Sequence, residues 1–209
     1  MLLAVNEGLS VLIPAYNPGP RFRGLIEGIE AQIANYPDTE IIVADDGSTE
    51  DISWVFQYPH VRYIRLDHSG EPTTRNVLLD SAVGEFISFV DADDDVSSEY
   101  LAIVYDNMLA GYDWVSYDWT CDGRKEWAYQ NKGTLMINCA VWAYSFRREF
   151  IGGIRFNTSM YTGGDVDWLP RVLRDDCKHY HDHRIYYNYR WMGNDNSICH
   201  RKLRGEPLI

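Results

Sequence analysis

Positive charge is what this 209-residue chain has least of. Nineteen lysines and arginines stand against 31 aspartates and glutamates, a formal net charge of -12. Nucleic-acid binding draws on a basic face that neutralises phosphates, so DNA and RNA are excluded as partners. Cysteine is scarce too: Cys121, Cys139, Cys177 and Cys199 are widely spaced and form no CxxC pair. A chain of this length buries roughly 70% of its unfolded surface and needs no covalent staples. Reduced thiols in the cytoplasm are therefore expected. The stretch MLLAVNEG has no basic region, and Asn6 and Glu7 break its apolar start, unlike a secretion signal. No apolar run approaches the ~20 residues of a membrane span. GxGxxG, Walker A, HExxH and GxSxG patterns are missing, which removes the motifs of dinucleotide, P-loop, zinc-protease and α/β-hydrolase chemistry.

What is present is a globular composition, 45% hydrophobic and 14% aromatic. Short apolar runs alternate with helical patterns. LSVLIPA (9–15) reads as a buried strand, and EIIVA (40–44), VRYIRL (61–66) and EFISFV (85–90) as three further strands. Between the first two, Phe22, Leu25, Ile26, Ile29 and Ile33 recur at helical spacing. DDGSTED is expected to turn into another helix, capped by Ser48 or Thr49. Pro72 suits the first turn of a helix over TTRNVLLDSA, and Ser97 or Ser98 caps one carrying Leu101, Val104 and Met108. Near-continuously apolar strands separated by helices predict an α/β, Rossmann-type, mostly parallel sheet flanked by helices. The second half is less regular. WVSYDW and HYHDHRIYYNYRW read as strands, VDWLPRVLRDD as a short helix, and LMINCAVWAYSF is open between strand and helix. A single domain is expected, with a nucleotide-binding half (1–96) and an aromatic-rich half (97–209).

Three strand ends carry polar clusters, PAYN, DDGS and DADD, on the carboxyl edge where such sheets bind ligands. The last is the most demanding. Asp91, Asp93, Asp94 and Asp95 are four carboxylates in five positions. Helix-start acids gain only ~0.3–1 kcal/mol each, which accounts for one or two of them. A hard divalent cation, Mg²⁺ or Mn²⁺, accounts for the group, since such ions take one or two carboxylates and complete their shell with substrate phosphates.

SVLIPAYN, IIVADDGSTED and TTRNVLLDSAVGEFISFVDADD, in that order, resemble the family 2 glycosyltransferases of GT-A fold. IRFNTSMYTGGDVDW and IYYNYRWMGNDNSI resemble the family's later segments, so the similarity runs over about residues 9–200. The resemblance implies inverting transfer from a nucleoside-diphosphate sugar, most simply a UDP-sugar, to a carbohydrate or lipid-linked acceptor. Pro14, Ala15 and Tyr16 would then line the base and ribose. One of Asp45 and Asp46 would accept hydrogen bonds from the base, with Asp46 preferred. Arg75 would reach the base or diphosphate, Asp91 the ribose or metal, and Asp93 the metal. Family members often have Glu-Asp where this chain has Gly164-Asp165, so Asp165 is the expected base and the role of the Glu is in doubt. Asp167 is the second choice, though Pro170 three residues later suits Asp167 as a helix N-cap with Asp165 free in the loop. A donor-binding protein without turnover and a glycoside hydrolase are the alternatives.

Other features carry less. Cys177, His179, His181 and His183 suggest zinc, but the histidines alternate along one face of a strand, unlike the spaced ligand pairs of structural zinc sites. Trp142, Tyr161 and Trp168, with Tyr189 and Trp191, are candidates to stack on acceptor sugars, although most such aromatics are core. His200, Arg201, Lys202 and Arg204 make a basic tail that is either solvated or a lid over the diphosphate, with His200 a candidate metal ligand. With no membrane span, a lipid-linked acceptor implies peripheral recruitment.

Overall fold

The computed structural model describes residues 8–123, 140–160, 163–174, 176–191 and 203–205. Four parallel strands, β1 (Leu9–Ala15), β2 (Thr39–Asp45), β3 (Val61–Arg65) and β4 (Phe86–Phe89), lie side by side in the order β3-β2-β1-β4. β1 pairs with β2 on one side and β4 on the other. Its residues Leu9, Val11, Leu12 and Ile13 are wholly buried, the reason that the run shows no polar alternation. Helix α1 (Phe22–Ile33) buries the five residues of its apolar stripe. Helix α2 (Glu71–Ser81), with Pro72 in its first turn, packs on β1 and β2.

The sheet then changes character. β7 (Tyr144–Arg147) runs antiparallel to β4, and β6 (Trp114–Cys121) antiparallel to β7. β8 (His179–Tyr189) is parallel to β6, and the two-residue β5 (Asp95–Val96) pairs with β8 at the far edge. β5 follows β4 by only a few residues yet ends the eight-strand order on the other side. The sheet therefore curls around the DADDD segment, which bridges its two halves. Helix α3 (Tyr100–Leu109) covers this part, with Tyr100 stacked on Tyr186 and Tyr186 on Tyr117 inside the core.

Two local expectations differ from the structure. After DDGSTED there is no α-helix, only a 3₁₀ turn over Ser53–Gln57. The side chain of Asp51 accepts hydrogen bonds from both the N–H and the hydroxyl of Ser53 (2.9 and 2.7 Å). Such local bonds hold the backbone in a turn rather than starting a helix. Around α3, Ser97 accepts the Glu99 N–H at 3.3 Å, and the cap position itself is Glu99. The ambiguous run resolves, over its described part, into a 3₁₀ turn at Val141–Ala143 followed by β7, after which comes the one-turn helix α4 (Arg148–Ile151). Cys121 and Cys177 are free thiols, while Cys139 and Cys199 lie outside the described residues. No helix among those described is long and apolar enough to cross a membrane.

Candidate active site

The site is assembled where β1, β2 and β4 end. At the β2 end, Asp45 is fully buried and its oxygens are taken up by the Ser48 N–H (2.8 Å), the Tyr63 hydroxyl and Arg65 (2.5 Å each). Asp46 accepts the N–H groups of Ser69 (2.7 Å) and Gly70 (3.0 Å), and so holds the loop that enters α2. Between them and the loop sits Gly47 at φ +76°, where a Cβ would lie 2.9 Å from the His68 nitrogen; only glycine fits that approach. Pro14 is half-buried and Ala15 buried. Tyr16, 41% exposed, stacks on His68 at 4.3 Å. Asn17 then ties the β1 loop to the β2 loop, its side chain accepting from the N–H of Thr49 (2.8 Å).

Arg75, on α2, is the hub. Its guanidinium is 3% exposed and contacts Glu71 (2.7 Å), Asp91 (3.2 Å) and Asp165. These partners come from α2 itself, the end of β4 and a helix 90 residues away. A buried cation surrounded by carboxylates keeps its proton, and the three acids raise Arg75 further against the opposing effect of burial. The negative charge still exceeds the positive. Burial first, then Glu71, Asp93 and Asp165, push Asp91 up to about 7 although Arg75 pulls it down. Glu71 is raised as well, chiefly by burial. Sequence reading missed Glu71; its i, i+4 spacing from Arg75 on one helix face was the available signal.

Asp165 lies in the first turn of α5 (Gly164–Val172), where helix-start acids are favoured. The Val141 N–H donates to its second oxygen at 3.0 Å. It is thus held from two sides and is not free in a loop. Asp167 is not the N-cap either. Gly163, in a left-handed conformation, starts the helix one turn earlier, and Asp167 pairs with Arg171 at 2.5 Å. Pro170 sits inside α5; the carbonyl that it cannot serve belongs to Val166, which is 56% exposed on the solvent side.

The four clustered aspartates have separate partners. The Tyr187 hydroxyl accepts the Asp91 N–H and donates to Asp94. Asp94 is fully buried and also accepts the Arg190 N–H (2.6 Å). Burial, followed by Asp93 and Asp91, pushes it up to about 9, which favours the neutral acid. Asp95 pairs with the Arg190 guanidinium. The repulsion expected from the sequence is therefore relieved partly by one protonation and two arginines. Asp91, paired with Arg75, and Asp93 are both half-buried. Among the described residues no three carboxylates of this cluster converge as a ready-made cage. That donor set fits a hard ion held by one or two carboxylates with phosphates completing its shell.

The acceptor expectations need correction. Trp168 is fully buried, stacked on Phe156 at 4.6 Å. Trp142 is 6% exposed and lies flat on Tyr187 at 4.4 Å. Neither offers a face to a sugar. Tyr161 and His200 fall outside the described residues. A cavity of about 550 Å³ opens beside Asp95, lined also by Gly24, Gly28, Thr120, Asn188 and Arg190; Arg75 and Asp165 do not line it.

A curled α/β sheet gathers an arginine and carboxylates at the carboxyl edge of its parallel strands, where open α/β sheets bind their ligands. The chain belongs to glycosyl transferase family 2, whose profile matches residues 10–173. It is 39% identical over 101 residues to the uncharacterized glycosyltransferase YibD of Escherichia coli, covering 46% of this chain and 28% of that one. It is 26% identical to the GalNAc(5)-diNAcBac-PP-undecaprenol beta-1,3-glucosyltransferase of Campylobacter jejuni, over 90% of this chain and 66% of that protein. The chain thus spans less than two thirds of the length of either relative. The fold matches TarS 1-349 of S. aureus, solved with UDP, at a TM-score of 0.75 and 19% identity, covering 90% of this chain and 62% of that one. It also matches the mannosyltransferase PcManGT of Pyrobaculum calidifontis, solved with GDP-Man and Mn²⁺, at 0.66 and 17%, covering 85% and 55%.

Proposed function

We propose that the chain transfers a sugar, with inversion, from a UDP-sugar to an acceptor hydroxyl on a carbohydrate or lipid-linked carrier. The observation that carries this reading is the meeting of Arg75, Asp91 and Asp165 from three distant segments at the carboxyl edge of the parallel strands. Membership of the family and the UDP complex of TarS support it. Pro14, Ala15 and Tyr16 would border the base and ribose, with Asp45 and Asp46 below them. Asp46 would serve the base through the loop that it holds. Asp93 and Asp91 would hold Mn²⁺ or Mg²⁺, which when bound neutralises diphosphate charge.

In the proposed reaction the acceptor oxygen attacks the anomeric carbon. The bond from that carbon to the phosphate oxygen breaks, and the nucleoside diphosphate leaves with the electron pair. Asp165 takes the hydroxyl proton. Arg75 and the Val141 N–H orient it, and each of its oxygens keeps a lone pair for this purpose. Glu71, paired with Arg75 at 2.7 Å, adds a further half-buried carboxylate to the group. Alignment of donor and acceptor supplies the rest.

The test is calorimetric titration of UDP, GDP and dTDP with Mn²⁺ and with EDTA, followed by transfer assays on Asp165→Asn. Manganese-dependent UDP binding is expected, with Asp165→Asn lowering turnover by about 100- to 10,000-fold while UDP affinity holds. Absence of binding by every nucleotide under both conditions would overturn the reading.

A further inference from the structure

Away from the strand-end carboxylates, a second group of ligating side chains gathers in the middle of β6 and β8. Asp118 projects from β6, and His181 and His183 from β8. Donor atoms of all three lie within 4.8 Å of one another. His181 Nε2 is 3.0 Å from one carboxylate oxygen of Asp118, and His183 Nδ1 is 3.4 Å from the other. His179, the third histidine of the alternation, is not part of the group; it stacks on Trp114 at 4.4 Å.

The local backbone explains the convergence. β6 and β8 pair in step from Trp114↔His179 to Tyr117↔Asp182, and then the register slips so that Asp118 meets Ile185. His183 and Arg184 are left in a bulge. Bulges re-aim side chains, and this one turns the His183 ring to 77° from that of His181, with centroids 4.6 Å apart. A simple alternation of histidines along a regular strand does not predict this meeting, and the carboxylate comes from a segment 63 residues away.

Three further features suit a metal site. Ser116 Oγ lies 2.8 Å from His181 Nδ1, which fixes the ring and leaves Nε2 toward Asp118, as outer partners of metal-bound histidines do. The side chains of His181 and Asp118 are 15% and 18% exposed, whereas that of His183 is 77% exposed. Two donors are thus held in place and a third stands at an open mouth. Around a tetrahedral zinc ion with bonds of about 2.0–2.1 Å, neighbouring donor atoms sit roughly 3.3 Å apart. The observed separations of 3.0 and 3.4 Å, which run to the two different oxygens of Asp118, are close to this value, and with all three donors within 4.8 Å of one another a side-chain rotation brings them onto one ion.

We propose that Asp118, His181 and His183 form a zinc-class metal site, chemically distinct from the all-oxygen cluster at the end of β4. Two imidazoles and one carboxylate favour a borderline ion such as Zn²⁺ over Mg²⁺. Water fills the remaining position on the exposed side, and any proton on the ligating ring nitrogens is released to solvent on binding. The ion clamps the bulge and joins the two strands. Their carboxyl ends carry Thr120, Tyr187 and the segment reaching Arg190, and so support Asp94 and Asp95.

The experiment uses the intact chain, stripped with chelator, and needs no sugar donor, so its outcome is independent of the glycosyl-transfer reading. Zn²⁺ is titrated by calorimetry and Co²⁺ by visible absorption. One equivalent of Zn²⁺ is expected to bind at micromolar concentration or below, with Co²⁺ giving the d–d bands of a four- or five-coordinate ion. His183→Ala, chosen because the side chain is exposed and its loss leaves the fold intact, weakens Zn²⁺ at least tenfold. Ser116→Ala weakens it by about 10-fold through the released ring. Asp93→Asn leaves it unchanged, and excess Mg²⁺ does not compete. Zinc binding that survives His183→Ala and Asp118→Asn unaltered, that Asp93→Asn removes, or that never saturates would overturn the proposal.

Discussion

At the scale of single residues, Arg75 decides whether the site can exist. Its one charge is set among Glu71, Asp91 and Asp165 within a volume that excludes most water. Removing a partner from such a buried group leaves uncompensated charge, which generally costs about 3–5 kcal/mol. Arg75→Met is therefore expected to lower unfolding free energy by that amount in urea titrations. Arg75→Lys separates fold from function. It restores a charge, but an ammonium is a compact point charge without the planar fork that serves several carboxylates at once. Stability should recover by half or more while transfer stays at least 10-fold down. Equal losses in both variants would reduce Arg75 to a structural ion.

At the scale of elements, what could be read from the chain followed from burial. β1, β2 and β4 are legible because strands buried on both faces are nearly apolar throughout, β3 because its apolar residues are β-formers although it lies at the sheet edge with no residue fully buried, and α1 because its stripe is complete. The DADDD segment is legible because charge at a strand end has few structural excuses, whereas Arg75, inside α2, is expected only from the family resemblance. Four other features were not. The turn after β2 is set by the Asp51 side chain, a local competition invisible to periodicity. The start of α5 is set by the left-handed Gly163, which made Asp167 look like a cap and Asp165 look free. The burial of Trp142 and Trp168 depends on which strands become neighbours, and the short β5 returning to β8 depends on the curl. The junction of α3 with β8 shows how such non-local packing is fixed. Asp182, buried, accepts from Asn107 at 2.8 Å and from Arg184. Burial raises its carboxyl, but these bonds outweigh it, and the folded value is lowered. A lowered carboxylate contributes stability that is complete above the unfolded value, near 4, and is lost as pH falls through the folded one. Asp182→Asn should cost about 1–3 kcal/mol at pH 7. Its gap from wild type in denaturant midpoints should close below pH 4; a gap independent of pH would mean that charge plays no part.

For the whole molecule, the net charge of -12 acts at two ranges. Exposed carboxylates repel one another through solvent, and raising ionic strength from about 0.01 to 0.15 M shortens the screening length from about 30 to about 8 Å. The acids around Arg75 and DADDD are closer together than that and half-buried, so monovalent salt reaches them poorly. A divalent ion in direct contact does what salt cannot. Two separable responses are expected. Sodium chloride should raise the melting temperature of wild type and Asp93→Asn alike, by about 2–4 °C for each kcal/mol of repulsion removed. Mg²⁺ at matched ionic strength should add a further rise that UDP enlarges, because any ligand confined to the native state stabilises it by mass action. Asp93→Asn should lose that second rise and keep the first. The oxygen-only chemistry of Mg²⁺ keeps the measurement clear of Asp118, His181 and His183, whose imidazoles suit a softer ion. An equal Mg²⁺ increment in wild type and Asp93→Asn would mean that the ion acts on the surface at large. The strand-end carboxylates would then owe their tolerance to Arg75, Arg190 and the proton on Asp94 alone.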